Sequence, residues 1–83
     1  MRLLYFAWVR ERVGRAEESV ELPPSVETVG DLMQWLTSRG EAYAQAFASP
    51  GVVRAAIDHM HVQSDARLAG AREVAFFPPM TGG

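Results

Sequence analysis

Eighty-three residues, 48% hydrophobic and 22% charged, are too apolar for a disordered chain and too few for two cores. A net charge of -2 offers no basic excess for holding nucleic acid, and the absence of cysteine excludes disulfides, thiolate nucleophiles and thiolate metal sites. All eight positive residues are arginine, so no side-chain amine of this chain can accept an isopeptide bond.

In chain order, the opening MRLLYFAWVRERVG is not the pattern of a secretory signal, because its apolar run ends at once in RER without a small-residue cleavage site. Within it, RLLYFAWV (2–9) mixes aromatic and aliphatic residues over a short span and reads as a buried strand, closed by RERVG through a helical turn ending at Gly14. ESVELPP alternates at Val20 and Leu22 and stops at Pro23 and Pro24, a second strand whose short link to the first predicts a hairpin. The period then changes. Val29, Leu32, Met33 and Leu36 fall at i, i+3, i+4 and i+7, which places them on one helical face. Thr28 followed by Asp31 matches a capping box with a shorter acid, and Gly40 stands where a helix finishes in the left-handed conformation.

EAYAQAFASPG predicts a second short helix that ends before Pro50. VVRAAIDHMHV (52–62) reads as one or two strands, QSDARLAGAR as turns, and EVAFFPP as a last strand stopped by proline. No stretch approaches the roughly 18 apolar residues of a membrane span, and a soluble, cytoplasmic protein is expected. One main helix cannot cover both faces of a doubly wound sheet, so an α+β roll, with the sheet folded around that helix, is the expected architecture.

The body of the chain offers little chemistry. His59 and His61 in HMH fall on the same side of a strand by period-two alternation, but a catalytic zinc needs a third protein ligand and no other histidine or cysteine exists. An exposed strand face or a contact surface is the expected role, with no metal. Carboxylate pairs such as Glu17 with Glu18, or Glu11 with Glu73, show no convergence on a substrate and read as solvated surface. Nucleophile elbow, phosphate loop and dinucleotide fingerprint are all missing, and Trp8 and Trp35 suit packing or contact.

The chain finishes on FFPPMTGG, and three readings stay open: a frayed end, a recognition peptide, or an arm whose chemistry sits on the carboxyl group of Gly83. Pro78 and Pro79 remove two backbone donors and force Phe77 toward extended geometry, so strand pairing stops at a defined point. At about 3.3–3.6 Å per residue, the segment 78–83 reaches roughly 20 Å, enough to enter a narrow channel in another protein. Glycine suits such a channel because it has no Cβ. A carboxylate is a poor electrophile, so a partner would have to adenylate it with ATP before a sulfur or nitrogen nucleophile could attack. Without cysteine, a terminal thiocarboxylate is the natural place for this chain to carry sulfur.

LLYFAWVRERVG, LPPSVETVGDLMQWL and above all EVAFFPPMTGG resemble the small, sulfur-carrier subunits of molybdopterin synthase, the MoaD family, which is related to the thiamine sulfur carrier ThiS. The resemblance spans the chain in order. It implies a ubiquitin-like β-grasp fold over residues 1–77, a mixed sheet wrapped around one main helix, and a reactive diglycine tail at 78–83. It also implies that Gly83, preceded by Gly82, is adenylated by an E1-like enzyme and converted to a thiocarboxylate. The tail would then enter a large catalytic subunit, in a heterotetramer of two small and two large subunits. There the sulfur would pass to cyclic pyranopterin monophosphate to build the molybdopterin dithiolene. Catalytic residues are expected on the large subunit, and no cofactor is expected on this chain, the ATP being used by the activating enzyme. Phe6, Arg10, His61, Phe76, Phe77, Pro78, Pro79, Met80 and Thr81 are the expected partner contacts, with core packing as the competing role of Phe76. Asp58, His61 and the stretch Gly70-Ala71-Arg72 depart from the family's usual residues. A sulfur carrier for another pathway (thiamine, cysteine or transfer-RNA thiolation), a protein modifier and a plain binding module are the alternatives.

Overall fold

The computed structural model describes residues 1–48 and 52–79. Strand β1 (Arg2–Tyr5) alternates as a half-buried strand should, with Leu3 and Tyr5 in the core. The strand expected through residue 9 stops there. The chain turns at Phe6 and at Ala7, whose φ of 53° is in the left-handed region, and enters helix α1 (Ala7–Val13). The reason is spacing: Val9 and Val13 are four apart and both buried, while Trp8 and Arg12, also four apart, meet with the guanidinium 4.3 Å over the indole. Gly14 ends α1 as expected, at φ 92° with its N–H donating to the Arg10 carbonyl.

Strand β2 (Glu17–Ser19) pairs antiparallel with β1, Leu3 opposite Glu18. The pairing is that of the expected hairpin, but α1 occupies the link, and the strand ends before Val20, which is buried beyond it. Helix α2 (Val29–Thr37) is as the periodicity predicts: Val29, Leu32 and Leu36 are buried, and Thr28 and Asp31 form the reciprocal capping box. Its end differs. Ser38 closes α2 in a right-handed conformation, its hydroxyl donating to the Trp35 carbonyl, and Gly40 is extended (φ 162°) as the N-cap of helix α3 (Glu41–Ala46).

Strands β3 (Arg54–Ile57) and β4 (Met60–Val62) form a hairpin, and β5 (Glu73–Phe77) is the last strand. The β3–β4 turn consists of Asp58 and His59, with φ of 47° and 73°, a pair of positive values that matches the twist of a two-residue hairpin. Asp58 offsets the unfavourable backbone by accepting hydrogen bonds from the N–H groups of Arg72 and Glu73 at about 3.0 Å each, which fixes where β5 starts.

The sheet order is β2-β1-β5-β3-β4, with β1 and β5 parallel and every other pair antiparallel. This is the mixed sheet of the β-grasp fold, α+β as expected, with the main helix α2 joined by the short helices α1 and α3. Leu3, Tyr5, Val74 and Phe76 pack with Val9, Val29, Leu32, Leu36 and Phe47. Phe76 stacks on Tyr5 at 6.1 Å and meets Phe47 edge-on at 5.1 Å. Among the described residues, no helix is long and apolar enough to cross a membrane.

Candidate functional site

Alternation sends every second residue of each strand to the face opposite the core. The registers place Leu4, Ala75, Ala56 and His61 in one row across β1, β5, β3 and β4, and Phe77 opposite Arg54 in the next. This open face is therefore apolar at its centre. It meets the tail at one corner, because β5 runs through Phe77 directly into Pro78 and Pro79.

The small side chain of Ala56 lets two larger ones meet. The His61 imidazole and the Phe77 ring have centroids 4.9 Å apart, tilted at 46°. Beside them a groove of about 440 Å³ is lined by Arg54, His61, Val62, Gln63, Phe77 and Pro79. Phe6 reaches the same end of the sheet: its N–H donates to the Phe76 carbonyl at 3.0 Å, and its side chain is 47% exposed. Among the described residues, neither Arg54 nor His61 has an ion-pair partner.

The expected contact residues thus separate. Phe6 and His61 are exposed, and Phe77, Pro78 and Pro79 are partly exposed around the root of the tail. Arg10 is exposed on the last turn of α1. Phe76 has no exposed surface and belongs to the core, so of its two expected roles packing is the one observed and its ring is not on the open face. Met80, Thr81, Gly82 and Gly83 lie outside the described residues.

The two histidines do not share a strand face. His59 lies in the turn, its Nε2 3.1 Å from Glu73 Oε1, while His61 lies on β4 against Phe77. Among the described residues, no three potential metal ligands come together. Glu17 pairs with Arg2 at 2.6 Å on the surface, in keeping with its solvated reading.

Glu18 overturns that reading. Its side chain is only 6% exposed, and its Oε2 accepts from the hydroxyls of Tyr5 (2.8 Å) and Tyr43 (2.7 Å). Its Oε1 accepts from Arg39 at 3.1 Å and lies 3.4 Å from Arg15 Nη1. Burial pushes the Glu18 carboxyl up, but the hydrogen bonds from Tyr43, Tyr5 and Arg39 outweigh it and hold the group below the usual carboxylate range. Burial and the Glu18 charge raise both tyrosines. The signal was present in the sequence: the alternation that turns Val20 inward turns Glu18, two residues earlier, to the same side. Glu18 itself lies on β2 at the edge of the sheet, with β1 between it and β5.

The profile of the ThiS family matches residues 3–83. The chain is 37% identical over 83 residues to the molybdopterin synthase sulfur carrier subunit of Escherichia coli (strain K12), covering 100% of this chain and 99% of that protein. Its identity to the protein of the same name from Haemophilus influenzae is 29%, with the same coverage. Among solved structures, SAMP1 from Haloferax volcanii has a TM-score of 0.72 at 24% identity, over 100% of this chain and 98% of that one, a likeness of fold.

Proposed function

The chain belongs to the ThiS family, on its molybdopterin synthase (MoaD) side, and from that premise we propose that it is the sulfur-carrier subunit of a molybdopterin synthase. The observation that carries this reading is the likeness, over the whole chain, to subunits of that name. The central position of β5, leading into two prolines beside an open apolar face, suits the role.

The working group is the carboxyl of Gly83. An E1-like enzyme joins it to the AMP portion of ATP, with release of pyrophosphate. A sulfide-level sulfur then displaces AMP and leaves a terminal thiocarboxylate. The diglycine arm enters the large subunit, where the thiocarboxylate sulfur bonds to cyclic pyranopterin monophosphate. Water then cleaves the bond between that sulfur and the Gly83 carbonyl, returning Gly83 to a carboxylate. Two loaded carriers supply the two sulfurs of the dithiolene, in an assembly of two small and two large subunits. The chain itself binds no cofactor, and the residues that catalyse the transfer belong to the large subunit.

This chain's own contribution is presentation. Pro78 and Pro79 lack the N–H groups with which a strand would go on pairing, so the arm departs at a fixed point. Gly82 and Gly83 lack the side-chain bulk that a narrow channel would refuse. Leu4, Phe6 and Phe77 supply apolar contact at the arm's origin, where aromatic anchors contribute most to binding.

Intact mass after incubation with the cognate activating enzyme, ATP and a sulfur source tests the reading. The expected result is a gain equal to one oxygen exchanged for one sulfur at Gly83. Unchanged mass, with an activating enzyme shown to be competent, rejects it. Addition of the large subunit and the pterin precursor then separates molybdopterin synthesis from other sulfur pathways, which would leave the precursor unconverted.

A further inference from the structure

We propose that Arg54, His61 and Gln63 form an acid-reading site at the root of the tail, which takes an aspartate or glutamate side chain of the large subunit. The inference rests on the sulfur-carrier reading, which supplies that partner.

Position comes first. Arg54 opens β3 directly opposite Phe77, the last residue of β5, and the groove it lines extends to Pro79. A protein that encloses the residues after Pro79 therefore closes over this corner. The register of β3 and β4 sets Ala56 opposite His61, so Gln63 follows next to Arg54 on the same face.

Charge is the second argument. Of the other seven arginines, four meet acids: Arg2 pairs with Glu17, Arg15 and Arg39 with Glu18, and Arg67 approaches Glu27. Arg54, like Arg10, Arg12 and Arg72, has no such neighbour among the described residues, although the chain as a whole carries a net charge of -2. Of these four it is Arg54 that lines the groove. The groove's three polar side chains can all donate: a guanidinium, an imidazole N–H and a carboxamide. A carboxylate matches that set, and a basic side chain would face an uncompensated cation.

The apolar lining sharpens the match. The Phe77 ring and Pro79 border the groove and keep water from one side of it, which strengthens a charged pair relative to one in open solvent. A guanidinium also presents paired N–H donors in the fork that fits both carboxylate oxygens. The partner residue is thus an acid flanked by an apolar side chain that rests on Phe77.

Titration calorimetry of the full chain against its cognate large subunit, at low and at high salt, tests the site. Arg54→Gln is expected to weaken binding by about tenfold, and Arg54→Glu by more, with the losses shrinking as salt screens the pair. Replacing one aspartate or glutamate of the large subunit by arginine is expected to recover binding to Arg54→Glu selectively. Arg54 is exposed, so both variants should keep the parent's thermal unfolding, and Arg54→Gln gives the reading if Arg54→Glu fails to fold. Affinity and salt dependence equal to the parent's in Arg54→Gln, or in a folded Arg54→Glu, overturn the proposal. Sulfur loading of the parent by the activating enzyme is followed in parallel by intact mass. If the parent neither loads nor binds the large subunit, the carrier reading fails and this inference falls with it. If the parent does both and the variants bind unchanged, the inference alone fails.

Discussion

At Glu18, burial and hydrogen bonding act on one carboxyl in opposite directions, and the hydrogen bonds prevail. The folded pKa is therefore below the unfolded one, so Glu18 contributes stability that is fully present above the ordinary glutamate value of about 4.3 and is lost as pH falls through the folded pKa. Tyr5 and Tyr43 are raised. Their contribution is present below the ordinary tyrosine value of about 10 and is lost as pH rises through their folded values. Glu18→Gln keeps the side chain's size but loses its charge. Its expected cost is about 1–3 kcal/mol at neutral pH, measured by urea unfolding, together with a shallower loss of stability in acid. Asp58 poses a separate case, since its carboxylate receives two backbone N–H groups while its own φ is positive. Asp58→Ala removes the acceptor and keeps the backbone cost, so a loss of about 1–3 kcal/mol is expected by the same measurement. Asp58→Asn retains an acceptor and a residue tolerant of that backbone, and should lose less.

At the scale of elements, helix α2 depends on its first turn. Thr28→Ala deletes the oxygen that accepts the Asp31 N–H and should lower stability by about 1 kcal/mol, visible as a reduced melting temperature in circular dichroism. That helix was legible in the sequence because both its apolar period and its cap are local. Strand β5 was legible for the same reason, with two prolines marking its end. Helix α1 was hidden: every residue from Leu3 to Val9 is apolar, so the run does not show where period two yields to period 3.6, and the burial of Val9 and Val13 decides it. The β3–β4 turn carries no glycine, so its positive φ values had no local sign. Of the candidate site, Phe77 and the two prolines that follow it could be read directly. The groove at Arg54 could not, because it forms only when β3, β4 and β5 lie side by side.

For the molecule as a whole, Phe76 and Phe77 are adjacent in sequence but differently placed, Phe76 in the core and Phe77 partly exposed. On the proposed function they divide fold from docking. Phe76→Ala leaves a hole between Tyr5 and Phe47, with an expected cost of about 3–5 kcal/mol in chemical denaturation. A domain whose total stability is on the order of 5–15 kcal/mol is left marginal by such a loss. Phe77→Ala removes a partly exposed ring, so it should unfold much like the parent while binding the large subunit about tenfold or more weakly. Deletion of Gly83 is expected to preserve both the fold and most of the partner affinity while abolishing sulfur transfer, as checked by single-turnover conversion of the pterin precursor.

The parallel pairing of β1 with β5 has a mechanical result. The strand that leads to the tail is flanked on one side by the strand at the chain's beginning and on the other by β3, so a pull along the tail loads both ladders lengthwise. Hydrogen bonds strained in that direction must slip together, whereas those of an edge strand peeled sideways break singly. A load applied along Pro78 and Pro79 is therefore shared by two ladders at once.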